Sequence, residues 1–401
     1  MRIIINECKK ILDIRIILLL CMFSILYYMT FTQIYRYPTG GQLTNTKYDI
    51  PFTAELVKEW GQKWKVKDEK QYQEKHQELE RGFAKIIKQD QELSKRGIVD
   101  YEIFNKKYEE LGQKTTLSKQ EKELDKILEN YVFYNDKTSK IFLDIQALEH
   151  IREFQGYEYG VSDKKYKELK ADGFFDGTKL YQKAIEKRVK RDYISLVHEG
   201  VFYILQEDMV TIGGLIMICF FALIIPYQLK QRLRQVIPIL ATTKTGRRIY
   251  QIQLIASALV ALFVGILQMA VYGIIWHLKG LSVFWRCESW GIASNSYWCD
   301  KLSFGTYMLL YMALILLFAI ASIVIIDFIG RTIGNYMGAV AVSIPVCGVM
   351  MFLMRKIYYM LFLITNDQVL AYWELYALAT WLIVMLLFYK IRSKRWKKVD
   401  L

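Results

Sequence analysis

The sequence predicts an all-α membrane protein with six transmembrane helices and a mainly α-helical extracytoplasmic domain inserted between helices 1 and 2. Three observations predict it. Hydrophobic residues make up 53% of the 401-residue chain and gather into six long runs instead of spreading evenly. About 20 apolar residues cross the hydrocarbon of a bilayer as a helix. Basic residues concentrate at one end of these runs, and the one long connection between runs is charged, evenly balanced and helically patterned.

The elements follow in chain order. "NECKKILDIR" at the N-terminus reads as a short interfacial helix ahead of the first run, Ile14–Tyr35, and the two form the unit 1–35. The bulky residues after that run, Thr32 to Tyr37, do not suit a signal-peptidase site, so the run is expected to stay as an anchor. Residues 36–208 form the inserted domain. Its 32 Lys and Arg against 32 Asp and Glu leave no net charge, so the chain's excess of +14 belongs to the membrane part. Tyr72, His76, Leu79, Phe83 and Ile86 lie on one face of a helix, as do Tyr181, Ile185, Val189, Tyr193 and Leu196, whose helix would run on into the second span. Ser118 with Glu121 three residues later is a capping box opening a helix to Asn130. "YVFYNDKTSKIF", Tyr131 to Phe142, reads as a small hairpin turning at Asn135-Asp136.

Residues 209–401 hold the other five spans: Met209–Leu229, Ile252–Trp276, Phe304–Ile329, Gly338–Met354 and Trp373–Ile391. With the N-terminus inside, sixteen Lys and Arg of the ends and short loops lie on the cytoplasmic side and five on the other. That bias sets the orientation, with both termini cytoplasmic. Most telling is the connection 228–250, which carries six basic residues and no acidic one between Tyr227 and Gln253. Pro226 would end the second span. A short amphipathic helix would follow, with Leu229, Leu233, Val236 and Ile237 on one side and Lys230 and Arg234 on the other, limited by Pro238. Thr242 or Thr243 can cap a new helix after it, Lys244 adds charge, Gly246 supplies a turn, and Arg247 and Arg248 lead into the third span. One reading of this connection is an interfacial helix held on anionic lipid by its basic residues.

Three smaller features complete the pattern. Cys287 and Cys299 share a loop crowded with Trp285, Trp290, Tyr297 and Trp298. A disulfide between them would close a loop of about 13 residues, at about 3 kcal/mol, and the other reading is two thiols. Gly330, Gly334 and Gly338 recur every four residues, as a helix-packing face or as a cytoplasmic turn. Asp327 and Arg331 are spaced to pair on a helix end.

Several function classes are disfavoured. The charge-neutral domain does not suit nucleic acid. Four His and no ligand-spaced cluster give no metal site. There is no GxxxxGK[ST], GxSxG, HExxH or CxxC. The middles of the spans lack the carboxylates and bases that ion-coupled transporters place there. An energy source on another chain is the natural inference.

The apolar span, short helix, "TTKTGRR" and further apolar span resemble the cytoplasmic coupling region of membrane subunits in type-2 ATP-binding cassette (ABC) exporters. The six spans, the large domain between the first two and the N-terminal interfacial helix resemble a Gram-positive branch of that family. Two positions depart from it: the family often has Glu where the second span exits and Lys where the third begins, and this chain has Gln228 or Gln231 and Gln253. The resemblance implies a permease subunit, not itself an enzyme, in the bacterial cytoplasmic membrane. It would have no cofactor of its own, since ATP and Mg would sit on a separate ATPase, two copies per transporter. Its other partners would be a second permease subunit, identical or related, membrane lipids and an amphipathic substrate such as an antimicrobial peptide, another peptide or a lipid-like drug. Arg232, Arg234, Val236, Ile237, Pro238, Thr242, Thr243, Lys244, Gly246, Arg247 and Arg248 would form the ATPase-coupling element. A second class fits the same outline: a non-transporting membrane sensor whose outer domain binds a ligand and signals inward.

Overall fold

The computed structural model describes residues 2–37, 46–65, 68–134, 136–158, 167–168, 170–173, 176–233, 249–289, 296–299 and 301–399. Helix α1 (Arg2–Ile11) is separated by a two-residue corner from α2 (Ile14–Phe31), where the Asp13 carboxylate accepts the Arg15 N–H at 3.0 Å. A single turn, α3 (Gln33–Arg36), continues it. Its first two N–H groups, of Gln33 and Ile34, donate to the buried Asp208 carboxylate, 2.5 and 2.9 Å away. The carboxylate thus caps, from another helix, the positive end of α3.

The inserted domain is built of α4 (Thr46–Trp60), β1 (Lys63–Lys65), α5 (Glu69–Ile87), α6 (Gln91–Lys95), α7 (Tyr101–Gly112), α8 (Lys119–Glu129), α9 (Asp136–Glu158), α10 (Lys179–Val189) and β2 (Tyr193–Ser195). Phe83, Tyr101, Phe104 and Phe142 form its distal core, with Phe83 and Phe104 edge to face at 5.1 Å. The stripe on α5 buries Tyr72 and Phe83 as its spacing requires, though the last buried residue is Ile87 rather than Ile86. The capping box at Ser118 and Glu121 is present in both directions. The hairpin at Tyr131–Phe142 is not: a π-helical turn (Asn130–Tyr134) leads toward α9, and the Thr138 and Ser139 hydroxyls donate to the Tyr131 carbonyl at 3.0 and 3.1 Å. Two hydroxyls bonding one backbone oxygen favour the helical turn over strand pairing.

The second stripe does not run unbroken into the membrane either. Helix α10 stops, and β2 pairs antiparallel with β1, Trp64 opposite Ile194. The two ends of the domain are thereby tied together where it meets the spans, with Trp64 fully buried at the junction.

Beyond β2 come α11 (Glu199–Leu233), α12 (Ile249–Leu278), a 3₁₀ turn (Leu281–Arg286), β3 (Ser296–Tyr297), α13 (Phe304–Ala321), α14 (Ile323–Thr332), α15 (Tyr336–Tyr358), β4 (Leu363–Ile364) and α16 (Trp373–Val399). Together with α2 they provide six spans long and apolar enough to cross a membrane, α13 and α14 forming one of them with a break at Ser322. The Ser322 hydroxyl donates to the Phe318 carbonyl at 2.8 Å, the kind of back-bond that bends a helix. The chain is a multi-pass membrane protein on this showing.

Helix α11 is the hub. It packs against α2, α12, α13, α14 and α15 and is mostly buried. Its 35 residues extend about 52 Å, longer than the roughly 30 Å hydrocarbon layer. Pro226 lies inside it, so the proline does not end the span as its sequence position suggests. The helix continues to Leu233 because tight packing on its neighbours outweighs one lost backbone hydrogen bond.

One pH dependence follows from the domain. Burial pushes the Asp144 carboxyl up to about 7, with Lys140 opposing and Glu55 and Asp49 reinforcing. A carboxyl held above its unfolded value stabilises the fold while protonated, and that contribution fades as pH rises from the ordinary carboxylate range through 7. Asp144→Asn should therefore raise the thermal midpoint of the full chain more at pH 8 than at pH 5. An equal shift at both values would show that Asp144 is not titrating there.

Candidate functional site: a buried polar network beside the basic connection

At the end of the bundle opposite the inserted domain, polar side chains from four helices meet in the interior. Glu7 (α1), Tyr227, Gln228 and Gln231 (α11), Gln253 (α12), and Asp327 and Arg331 (α14) are each less than a tenth exposed. The Tyr227 hydroxyl donates to Glu7 Oε2, as does Gln231 Nε2 at 2.9 Å. Gln253 Nε2 donates to Gln231 Oε1 at 2.5 Å, and Arg331 Nη2 to Gln253 Oε1 at 2.7 Å. Arg331 Nε binds Asp327 Oδ2 at 2.8 Å, and Gln228 Nε2 donates to Asp327 Oδ1 at 2.6 Å. The Arg331 guanidinium also lies 5.0 Å from the Tyr250 ring centre.

The chain of contacts runs unbroken from α1 through α11 and α12 to α14. Its charges balance, Glu7 with Lys10 (2.5 Å) and Asp327 with Arg331. Burial would push the Glu7 carboxyl up, but hydrogen bonds from Lys10, Tyr227 and Gln231 hold it below its usual range. Among the described residues Gln228 Oε1 has no hydrogen-bond partner, but the other contacts hold the network together, and such a network becomes costly when one member is removed.

Close backbone approach makes the network possible. A Cβ at Gly330 would stand 2.9 Å from Gln228 Cβ and 3.5 Å from Ile225 Cα, so glycine there lets α14 lie against α11. The other two glycines of the series differ. Gly334 has open space and sits in the turn between α14 and α15, while Gly338 donates its N–H at 2.6 Å to the Asn335 side chain that caps α15. The series thus divides: one glycine packs two helices and two serve a turn.

The remaining predicted residues fall as follows. Arg232 caps the end of α14, its Nη1 donating to the carbonyls of Arg331 (3.1 Å) and Thr332 (2.8 Å). Arg234, Val236, Ile237, Pro238, Thr242, Thr243, Lys244, Gly246, Arg247 and Arg248 lie outside the described residues. The segment they form is flanked by the last residue of α11, Leu233, and the first of α12, Ile249, and both helices carry network residues within one or two turns of it. Cys287 and Cys299 are both thiols, not a disulfide: Cys287 is buried, with its Sγ 3.7 Å from the Leu196 carbonyl. The loop is closed by backbone instead, Phe304 N–H to the Cys287 carbonyl at 2.7 Å and Ser289 N–H to the Leu302 carbonyl at 2.9 Å. Among the described residues no cluster of His, Cys, Asp or Glu could hold a metal ion.

At the domain-bearing end the inserted domain grips the connection between α15 and α16. Thr178 donates its N–H to the Asn366 carbonyl (2.8 Å) and its hydroxyl to the Gln368 carbonyl (2.7 Å). Three non-glycine residues of that connection, Met360, Phe362 and Tyr372, adopt left-handed backbone. Such conformations cost on the order of 1–3 kcal/mol each and persist where the surroundings impose them. Here the buried Glu374 carboxylate accepts the Phe362 N–H at 3.0 Å.

Of the network, sequence reasoning reached the Asp327–Arg331 pair through its spacing. It met Gln228, Gln231 and Gln253 only as departures from a family pattern, and it missed Glu7 and Tyr227. The available signal was a lone acid on an otherwise basic interfacial helix, "NECKK". No protein-family model matches the chain, and neither the curated proteins nor the solved structures provide a match.

Proposed function

We propose that this chain is the membrane subunit of an ATP-driven exporter whose ATPase is a separate protein, and that the segment from Gln228 to Arg248 is the docking element. The observation that supports this most is the buried network, which ties both flanks of the basic segment to α1 and α14. A load applied to that segment reaches α11 through Gln231 and Tyr227, α12 through Gln253, and α14 through Asp327 and Arg331. A polar interior that links four helices at one membrane face, with no metal cluster among the described residues, suits the passing-on of motion better than chemistry at that face. Where the family carries Glu and Lys on the second and third spans, this chain carries glutamines and takes its charges from Glu7 and Arg331. The link is kept with its charged members moved to other helices.

In this reading the network end and both termini face the cytoplasm of a bacterium and the inserted domain lies outside. The substrate is an amphipathic molecule taken from or across the membrane. The grip of Thr178 on the α15–α16 connection supplies a route from the outer domain to the spans. The deciding experiment is purification of the full chain from its own membranes in mild detergent. An ATPase subunit bearing a GxxxxGK[ST] loop should come with it, and its hydrolysis should change when the domain is occupied. A histidine kinase in its place would support the sensor reading. Sidedness has its own test. Lys119→Cys, at the exposed start of α8, should react with a membrane-impermeant maleimide in intact cells, relative to the unsubstituted chain. Labelling only after lysis would invert the topology.

A further inference from the structure

A groove of about 450 Å³ opens between α2, α11 and α12. It extends from Ile17 to Tyr35 along one wall and to Ile275 on another. All of this but Tyr35, on the turn α3 just past the first span, lies within the spans, and the lips, Ile25 and Leu267, are exposed. Three of its polar side chains, Ser24, Tyr28 and Gln268, are turned on each other and on backbone. Gln268 Nε2 donates to the Ser24 hydroxyl at 2.9 Å, and the Tyr28 hydroxyl donates to the Gln268 carbonyl at 2.8 Å. A buried water needs two to four polar partners, and this wall has few to spare, so the groove favours an apolar occupant. If each heavy-atom group takes up roughly the 30 Å³ share of a water, the groove has room for roughly fifteen of them, the scale of one lipid tail.

The domain-bearing end of the groove carries charge. Lys279, one residue beyond α12, donates through Nζ to the carbonyls of Tyr37 (2.5 Å) and Tyr35 (3.4 Å). Two of its three N–H donors are used there, and among the described residues no carboxylate forms an ion pair with it. Arg36, on the turn that holds Tyr35, is a second exposed cation. An ammonium anchored over the mouth of an apolar groove, at the level where headgroups lie, is complementary to a phosphate on a tail.

We propose that this groove binds one membrane lipid with an anionic headgroup, its tail between α2, α11 and α12 and its phosphate at Lys279. The inference needs only the membrane-spanning fold and stands apart from the exporter reading. The test uses the full chain, without any ATPase, in phosphatidylcholine nanodiscs. These are doped with phosphatidylglycerol carrying a diazirine in mid-tail or, in parallel, with phosphatidylcholine so labelled. After illumination, cross-links to phosphatidylglycerol should concentrate on the peptides containing residues 17–29 and 264–275. Lys279→Ala should reduce them about fivefold, the effect of one basic residue at a membrane surface, and leave phosphatidylcholine labelling unchanged. Val271→Trp, which fills the groove from a position already partly open to lipid, should remove labelling with both. Labelling spread equally over other lipid-facing surfaces, such as 337–344 of α15, would overturn the proposal. So would equal labelling by the two lipids, or a phosphatidylglycerol signal indifferent to Lys279→Ala.

Discussion

Replacing Arg331 by Gln is expected to destabilise the protein by about 3–5 kcal/mol, the usual result of removing one partner from a buried ion pair. Arg331 is held on three sides: Nε on Asp327, Nη2 on Gln253, and the guanidinium against the Tyr250 ring. Its loss leaves the Asp327 carboxylate buried with only the Gln228 amide as a described partner, and frees the Gln253 carbonyl. A glutamine at 331 is too short to meet both. The measurement is the thermal midpoint of the purified full chain, with Asp327→Asn/Arg331→Gln as the control. The double variant removes the uncompensated charge and should recover most of the loss, since replacing a whole buried pair is often nearly neutral. If the single variant melts with the parent, the pair does not sustain the helix arrangement. If the double variant is no better than the single, the loss comes from packing and not from charge.

The second large effect concerns the basic connection. Ile237→Asp is expected to abolish stimulation of the partner ATPase, whereas Arg234→Ala should only reduce it. The argument is one of magnitudes. An Ile side chain buried in a partner's groove contributes about 1.5–3 kcal/mol, while an exposed ion pair contributes about 0.2–1 kcal/mol. An aspartate in the groove adds an unpaired buried charge to the loss. Lipid anchoring makes the contrary forecast: no single apolar position dominates, and the loss follows the number of basic residues removed. Copurification of the ATPase with each variant, and its hydrolysis rate in nanodiscs, separates the two. Full association and stimulation by Ile237→Asp would remove this segment from the coupling role. Because one experiment reads the stability of the chain and the other the activity of the ATPase, the two fail independently.

The spans were legible because each is a local property. A run such as Phe304–Ile329 must be a helix in lipid, since no other local structure satisfies its backbone there. The capping box at Ser118 was legible for a similar reason, as three residues contain the whole interaction. Reading failed where a distant segment decided the outcome. Tyr193 and Leu196 continue a helical stripe, yet β1, more than a hundred residues earlier, claims the stretch as a strand. Pro226 looks like a stop, but α11 is enclosed by five other helices, and burial along its length outweighs one missing hydrogen bond. For Cys287 and Cys299 the spacing left a bond and two thiols both open, and the structure has two thiols in a loop closed by its own backbone.

The sequence by itself determined that this is a six-span membrane protein with a charge-balanced insertion after the first span and basic residues massed at one end. Composition and period carry those facts, and no partner segment is needed to state them. Only the tertiary structure decided that Glu7, Tyr227, Gln231, Gln253 and Arg331 form one buried path, because they lie up to 324 positions apart and the one local spacing among them, Arg331 four residues after Asp327, names no partner on another helix. A polar residue near the end of an apolar run can face headgroups or the protein interior with the same sequence around it. Which it does depends on which neighbouring helix approaches closely enough to bond it, and here Gly330 lets α14 approach α11 and completes the path.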